Sequence, residues 1–113
     1  MTAYKRGDIV LVPFPFSDQT TTKKRPAVVI SSSRYNAISK DIIIMAVTSQ
    51  IEKSFDVGSC RIKDWKEANL LKPSAIKPAL SSIEQALVMK KLGALSPDDL
   101  SSLNTALKEL IEL

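Results

Sequence analysis

Hydrophobic residues in the first half of the chain fall into short runs that are separated by polar segments. The runs at residues 8–13, 26–31 and 41–49 are rich in Val and Ile, which favour strands. The second and third are apolar at successive positions, so we predict strands that are buried on both faces. Pro13 and Pro15 lack the N–H that a sheet ladder needs, and they end the first strand.

The remaining segments predict shorter elements. Polar residues predict loops at 17–24 and 31–40. Pro78 inside an apolar run indicates an edge strand or a bulge there. The other predicted elements are a half-polar strand at 55–62, a short helix at 64–71, a strand at 75–83 and a helical turn at 85–92 that Gly93 stops.

The clearest helix lies at the C-terminus. Ser96 is suited to the N-cap, Pro97 to the first helical position, and Asp98 and Asp99 to the first turn. Five residues then form an apolar stripe: Leu100, Leu103, Leu107, Leu110 and Ile111. The pattern predicts one domain over residues 1–113, mostly β with helical additions (α+β), folded as a small antiparallel barrel with a C-terminal helix.

Composition narrows the classes of function. A net charge of +4 favours a polyanionic or acidic partner. Cys60 is the single cysteine, which excludes a disulfide within the chain and a cysteine-based zinc site. No apolar run approaches the roughly 20 residues of a membrane span, and residues 1–8 do not resemble a secretory signal. We therefore expect a cytoplasmic protein without membrane contact.

Basic residues gather where a polar loop meets a predicted buried strand. Lys23, Lys24 and Arg25 come directly before Pro26, and this position suits a phosphate-bearing ligand. The chain contains no histidine. If it cleaves nucleic acid, it does so without an imidazole acid or base.

Five short motifs occur in a specific order and spacing between Lys5 and Leu107: GDIVLVPFPFSD, KKRPAVVIS, AVTS, WKEANLLKPSAIK and LGALSPDDL. Together they resemble the MazF/PemK family of toxin endoribonucleases. The resemblance implies an SH3-like or CcdB-like barrel that forms a homodimer. It also implies cleavage of single-stranded RNA without a metal or cofactor, and inhibition by a cognate antitoxin. Any contact with DNA would be made only through the complex with that antitoxin.

The resemblance also implies site residues. Arg25 of the RP motif and Thr48 of the TS motif match the family's catalytic positions, and Ser49 follows Thr48 as a supporting candidate. Asp18 is a second supporting candidate, chosen as a carboxylate in a chain without histidine. The chain departs from the family pattern at three places. The loop before Arg25 reads TTTKK without the usual glycines, Asn69 stands where a glycine often precedes LLKPS, and Lys77 and Ala79 stand where some relatives carry Arg and Asp.

Metal-free cleavage would use the RNA 2′-OH as the nucleophile. The planar fork of Arg25 can hold two phosphate oxygens, and the Thr48 hydroxyl can donate to a non-bridging oxygen. Arginine stays protonated, so the base is left open between Asp18, Glu52 and water, and Asp18 is also typical of a turn. The implied products carry 2′,3′-cyclic phosphate and 5′-OH ends.

Further residues are candidates for RNA binding. Lys23, Lys24 and Lys77 can contact phosphates, and Phe16 or Tyr35 can stack on a base. Gln50, which directly follows the TS motif, is also a candidate for RNA binding.

Two alternatives remain open. One is a CcdB-like poison that binds a protein target such as DNA gyrase, although the pairing of RP with TS favours the nuclease. The other is an inactive homologue that binds only RNA or an antitoxin, which Ala79 keeps open.

Overall fold

The computed structural model describes residues 4–13, 23–52 and 57–113. Its main feature is a curled antiparallel sheet of six strands in the order β4-β5-β3-β2-β1-β6, with a C-terminal helix. The strands are β1 (Asp8–Pro13), β2 (Lys24–Val29), β3 (Asp41–Thr48), β4 (Cys60–Ile62), β5 (Ser74–Glu84) and β6 (Lys90–Ala94), and the helices are α1 (Ser33–Ile38) and α2 (Pro97–Ile111). This architecture confirms the predicted fold class.

Both faces of the central strands are buried, which explains their continuous apolar runs. One cluster lies between the sheet and α2. It contains Ile9, Val28, Met45, Val47 and Ile76 from the strands and Leu103 and Leu107 from α2. The opposite face contains Val10, Val12, Ala27, Val29, Ile42, Ile44 and Ile83. Because successive side chains on a strand alternate, each central strand contributes to both clusters.

The start of α2 forms as predicted. The Ser96 hydroxyl accepts a hydrogen bond from the Asp99 N–H at 3.2 Å, so Ser96 is the N-cap. Asp99 is only 3% exposed. Its carboxylate accepts from the backbone N–H groups of Lys63 at 2.9 Å and Asp64 at 2.8 Å, which attaches the helix to the segment after β4.

The segment 31–40 was wrongly predicted as a loop, because it contains α1. Its buried anchor is polar: Asn36 is 3% exposed and donates to the carbonyl of Tyr4 at 2.9 Å. Ser32 caps the helix by accepting from the Tyr35 N–H at 3.1 Å. A six-residue helix without an apolar stripe gives no periodic signal in the sequence.

Two other predicted helical segments differ from the structure. Residues 64–69 form successive turns, in which Leu70 N–H reaches the Trp65 carbonyl and Asn69 takes a left-handed φ of 63°. The segment 85–92 contains a 3₁₀ helix only at Gln85–Leu87, and β6 follows. Within the described part of the predicted strand 55–62, only Cys60–Ile62 is extended.

Two bulges interrupt the sheet. Between the pairs Met45↔Leu80 and Val47↔Ile76, β3 advances by two residues while β5 advances by four, so β5 bulges around Pro78, one of the two predicted outcomes. The neighbours Ile9 and Val10 pair with Gly93 and Lys91, so Leu92 is the extra residue of β6.

Among the described residues, no helix is long and apolar enough to span a membrane.

Candidate functional site

The register between β2 and β3 brings the two predicted catalytic positions together. These strands pair through Ala27↔Ala46 and Val28↔Met45. Continued by two residues on each strand, the same register sets Arg25 opposite Thr48. Side chains that face each other across antiparallel strands have Cβ atoms roughly 5 Å apart. Beyond the last paired residues, Ala27 and Ala46, Arg25 and Thr48 therefore occupy facing positions at the end of the sheet, on the face opposite α2.

A small cavity of about 130 Å³ contains this pair. It is lined by Arg25, Ala46, Val47, Thr48, Ser49, Gln50 and Lys77. Lys77 reaches the cavity from the bulge in β5, where extra residues change the direction of side chains, as bulges beside functional sites often do. The bulge thus adds a second cation to a site that the β2–β3 register alone would leave with Arg25.

The hydroxyl of Thr48 is oriented by a local hydrogen bond. Its oxygen accepts from the backbone N–H of Gln50 at 3.1 Å. A hydroxyl has one hydrogen and two lone pairs, so the bond uses a lone pair and leaves the O–H to donate. Thr48 is half-buried, which leaves it accessible to a ligand in the cavity.

A larger cavity of about 700 Å³ adjoins the small one and shares Arg25, Val47 and Ser49 with it. Its apolar wall comes from leucines and its rim from lysines. The lining residues are Leu11, Lys24, Arg25, Pro26, Val47, Ser49, Asn69, Leu70, Leu71, Lys72, Ser74, Lys90 and Leu92. This combination suits a ligand with both anionic and flat apolar parts.

The charge of the site has a single sign. Four lysines and Arg25 line the two cavities, whereas no Asp or Glu among the described residues lines either one. A concave surface of one sign concentrates counter-ions of the opposite sign. The arrangement can bind an anion, and the guanidinium can hold two oxygens of a phosphate.

The predicted site residues divide into three groups. Arg25, Lys24, Thr48, Ser49, Gln50 and Lys77 line the two cavities. Lys23, Tyr35, Glu52 and Ala79 line neither. Phe16 and Asp18 lie outside the described residues.

The larger cavity is also lined by residues of the segment 69–72 and of β6, which were not predicted as site residues from the sequence. Lys72 and Lys90 are exposed cations at its rim, and Leu71 is 94% exposed. The only sequence signal for this wall is LLKPS, in which an apolar pair and a lysine precede a proline. That signal does not reveal that the segment faces Arg25.

Cys60 lies apart from this site. Burial, followed by the negative charge of Asp99, raises the pKa of its thiol to about 11. The reactive thiolate is therefore scarce near neutral pH. Within residues 4–13, 23–52 and 57–113, no three Cys, Asp or Glu side chains are grouped as metal ligands would be.

Comparisons with known proteins agree on the architecture. The family model described as "PemK-like, MazF-like toxin of type II toxin-antitoxin system" matches residues 5–111. No curated protein sequence matches the chain.

Solved structures match over the full length of the chain. A mycobacterial endoribonuclease in complex with its cognate antitoxin has a TM-score of 0.76 at 16% identity, covering 100% of this chain and 97% of that one. MazF from Deinococcus radiodurans has a TM-score of 0.76 at 17% identity, covering 100% of both chains. A MazE–MazF complex from the same organism has a TM-score of 0.76 at 18% identity, covering 100% and 99%. At these identities the structures show a shared fold.

Proposed function

This chain belongs to the family of PemK-like, MazF-like toxins of type II toxin–antitoxin systems, and we propose that it is an endoribonuclease that cleaves single-stranded RNA. The observation that carries the proposal is that Arg25 and Thr48 line one cavity together with a second cation, Lys77. The fold that the chain shares with mycobacterial endoribonucleases supports the same assignment.

The proposed reaction is a transesterification within the RNA. The 2′-OH attacks the neighbouring phosphorus, the bond to the 5′-oxygen breaks, and the products carry 2′,3′-cyclic phosphate and 5′-OH ends. Because the nucleophile belongs to the substrate, the protein needs to supply alignment and positive charge. Arg25 holds two phosphate oxygens, and the Thr48 O–H donates to a non-bridging oxygen as its charge increases. Lys77 adds positive charge beside Arg25, and in this proposal the two cations take the place of a metal ion.

Fewer protein groups are candidates for the two proton transfers, from the 2′-OH and to the leaving 5′-oxygen, than for binding the phosphate. A guanidinium is a poor base, so Arg25 stabilises charge, and either Arg25 or a water donates the proton that the leaving 5′-oxygen takes up. Glu52 lines neither cavity. The base is then water or Asp18, and Asp18 is tested directly by Asp18→Asn.

Single-stranded RNA fits this site for a geometric reason. In-line attack requires the 2′-oxygen, the phosphorus and the leaving oxygen to align, and a regular helix holds them away from that alignment. Unpaired bases can also leave the stack and enter a pocket. The larger cavity is lined by leucines and by Lys24, Lys72 and Lys90, and this combination suits a base and its phosphates.

The proposal includes a cognate antitoxin as the inhibitor and a homodimer as the active form. Solved complexes of a mycobacterial endoribonuclease with its antitoxin and of MazE with MazF support this partner class. An inhibitor with acidic side chains would match the five cations that line the cavities.

The direct test is incubation of the purified protein with a panel of long, varied single-stranded RNAs in EDTA. Arg25→Ala is compared with Arg34→Ala, which removes another exposed arginine that lines neither cavity. We expect discrete fragments with 5′-OH ends from the original chain and from Arg34→Ala, and a loss of at least about 1,000-fold for Arg25→Ala, as is common for groups that stabilise transition-state charge. Cleavage by Arg25→Ala at the original rate, or intact RNA across the whole panel, would overturn the proposal.

A further inference from the structure

The outer wall of the larger cavity is formed by residues 69–72, which follow the turns at 64–69. These turns lie directly on β6. A Cβ placed on Gly93 would come within 2.5 Å of the carbonyl oxygen of Ala68, so only glycine permits this approach of the two backbones. The wall therefore rests against the strand that also supplies Lys90 and Leu92 to the cavity.

Asn69 makes a specific link at this contact. Leu92 is the extra residue of the β6 bulge, so it has no partner residue in the pairing with β1. The Asn69 side-chain amide donates to the Leu92 carbonyl at 2.7 Å. The left-handed φ of 63° aims the Asn69 side chain back at β6, and Asn tolerates this conformation better than most residues.

The link lies just before the least constrained part of the wall. Leu70 is buried, but Leu71 is 94% exposed and Lys72 is exposed. The chain becomes regular again only at Ser74, where β5 begins. Asn69 therefore determines where Leu71 and Lys72 stand relative to Arg25 on the far side of the cavity.

We propose that Asn69 is a positioning residue that sets the width of the larger cavity and thereby selects which nucleotide is accepted beside the phosphate held by Arg25. This inference rests on the proposed ribonuclease function. The β2–β3 register positions Arg25 and Thr48 independently of the wall. Loss of the link should therefore weaken and broaden recognition while leaving the chemical step intact.

The main test compares two variants of Asn69. Asn69→Gly keeps the positive φ and removes the amide, and Asn69→Asp keeps the shape and replaces the donor nitrogen with oxygen. For both we expect KM to rise roughly fivefold to tenfold, the usual effect of one lost hydrogen bond. We expect kcat to stay within about twofold at the preferred site, since that bond takes no part in the chemical step. In a randomised RNA pool, sequencing of the cleaved ends should show a broader set of flanking nucleotides.

The outcomes separate the two proposals. An unchanged KM and an unchanged cleavage profile for Asn69→Gly would overturn the role of Asn69 while the ribonuclease stands. A fall in kcat together with a lower melting temperature and an unchanged profile would show a merely structural role and also overturn it. A native chain that cleaves no member of the pool would overturn both the function and this inference.

Discussion

Two ends of the molecule handle charge in opposite ways. At the start of α2, which we call the capped end, the carboxylate of Asp99 is buried and accepts hydrogen bonds from two backbone N–H groups. At the cavity end, where β2 begins and β3 finishes, the cations stand in open concave surfaces that no described carboxylate lines. In the first arrangement, hydrogen bonds inside the fold compensate a negative charge. In the second, positive charge lines a concave surface that a ligand can approach.

The contrast separates residues that stabilise the fold from residues that act on a ligand. A buried carboxylate with backbone donors stabilises one conformation, because removing it leaves those donors without partners. Exposed cations contribute little to stability but can stabilise an anion that forms only during a reaction. We therefore expect substitutions at the capped end to change the free energy of unfolding, and substitutions at the cavity end to change the cleavage rate.

Of the three substitutions that compare the two ends, Thr48→Val at the cavity end has the largest expected effect. Removing the hydroxyl donor should lower the single-turnover cleavage rate by about 100- to 1,000-fold, or roughly 2.7–4 kcal/mol. Valine keeps the branched shape and favours strands, so the melting temperature should remain within about 2 °C. A rate close to that of the original chain would remove Thr48 from the site.

The next effect comes from Asp99→Ala at the capped end. The change leaves the backbone N–H groups of Lys63 and Asp64 without their acceptor, and we expect the free energy of unfolding to fall by roughly 2–3 kcal/mol. Urea denaturation measures this loss. Cleavage by the folded fraction at 25 °C should be unchanged, and a stable variant that had lost cleavage would break the proposed separation.

The smallest effect is expected for the neighbouring Asp98→Ala. The Asp98 carboxylate lies 3.2 Å from the Lys63 ammonium, but the two side chains are 77% and 71% exposed. Solvent screens such a pair, so the loss should be much smaller than that for Asp99→Ala, even with the effect on the helix dipole. The same urea measurement provides a matched comparison with Asp99→Ala, and equal losses for the two variants would contradict the importance of burial.

Sequence patterns predicted the elements whose signals are local. The Val- and Ile-rich runs predicted β1 and β3, and Ser96 with Pro97 predicted the start of α2. They did not predict α1, because a buried asparagine anchors that helix and no apolar stripe marks it in the sequence. Local signals also suggested a helix at 64–71, but the approach of this segment to Gly93 favours turns instead.

The site could be predicted only in part. Arg25 and Thr48 were selected through the RP and TS motifs, and the β2–β3 register then sets them opposite each other. The wall at 69–72 was not predicted, because it depends on a bulge at Leu92 that exists only once β6 pairs with β1, more than 75 residues earlier in the chain. Pairing between distant strands is not encoded in local periodicity.

The β2–β3 register also determines which changes of chain length the protein can accept. Residues added to the connection between these strands leave Ala27 opposite Ala46 and so keep Arg25 and Thr48 at facing positions, provided that the buried Asn36 keeps its contacts. Deletion of one residue within β3 would turn Thr48 to the other face of the sheet, because side chains alternate along a strand. We therefore expect activity to survive changes of length in the connection between β2 and β3, and to be lost when the length of β3 changes.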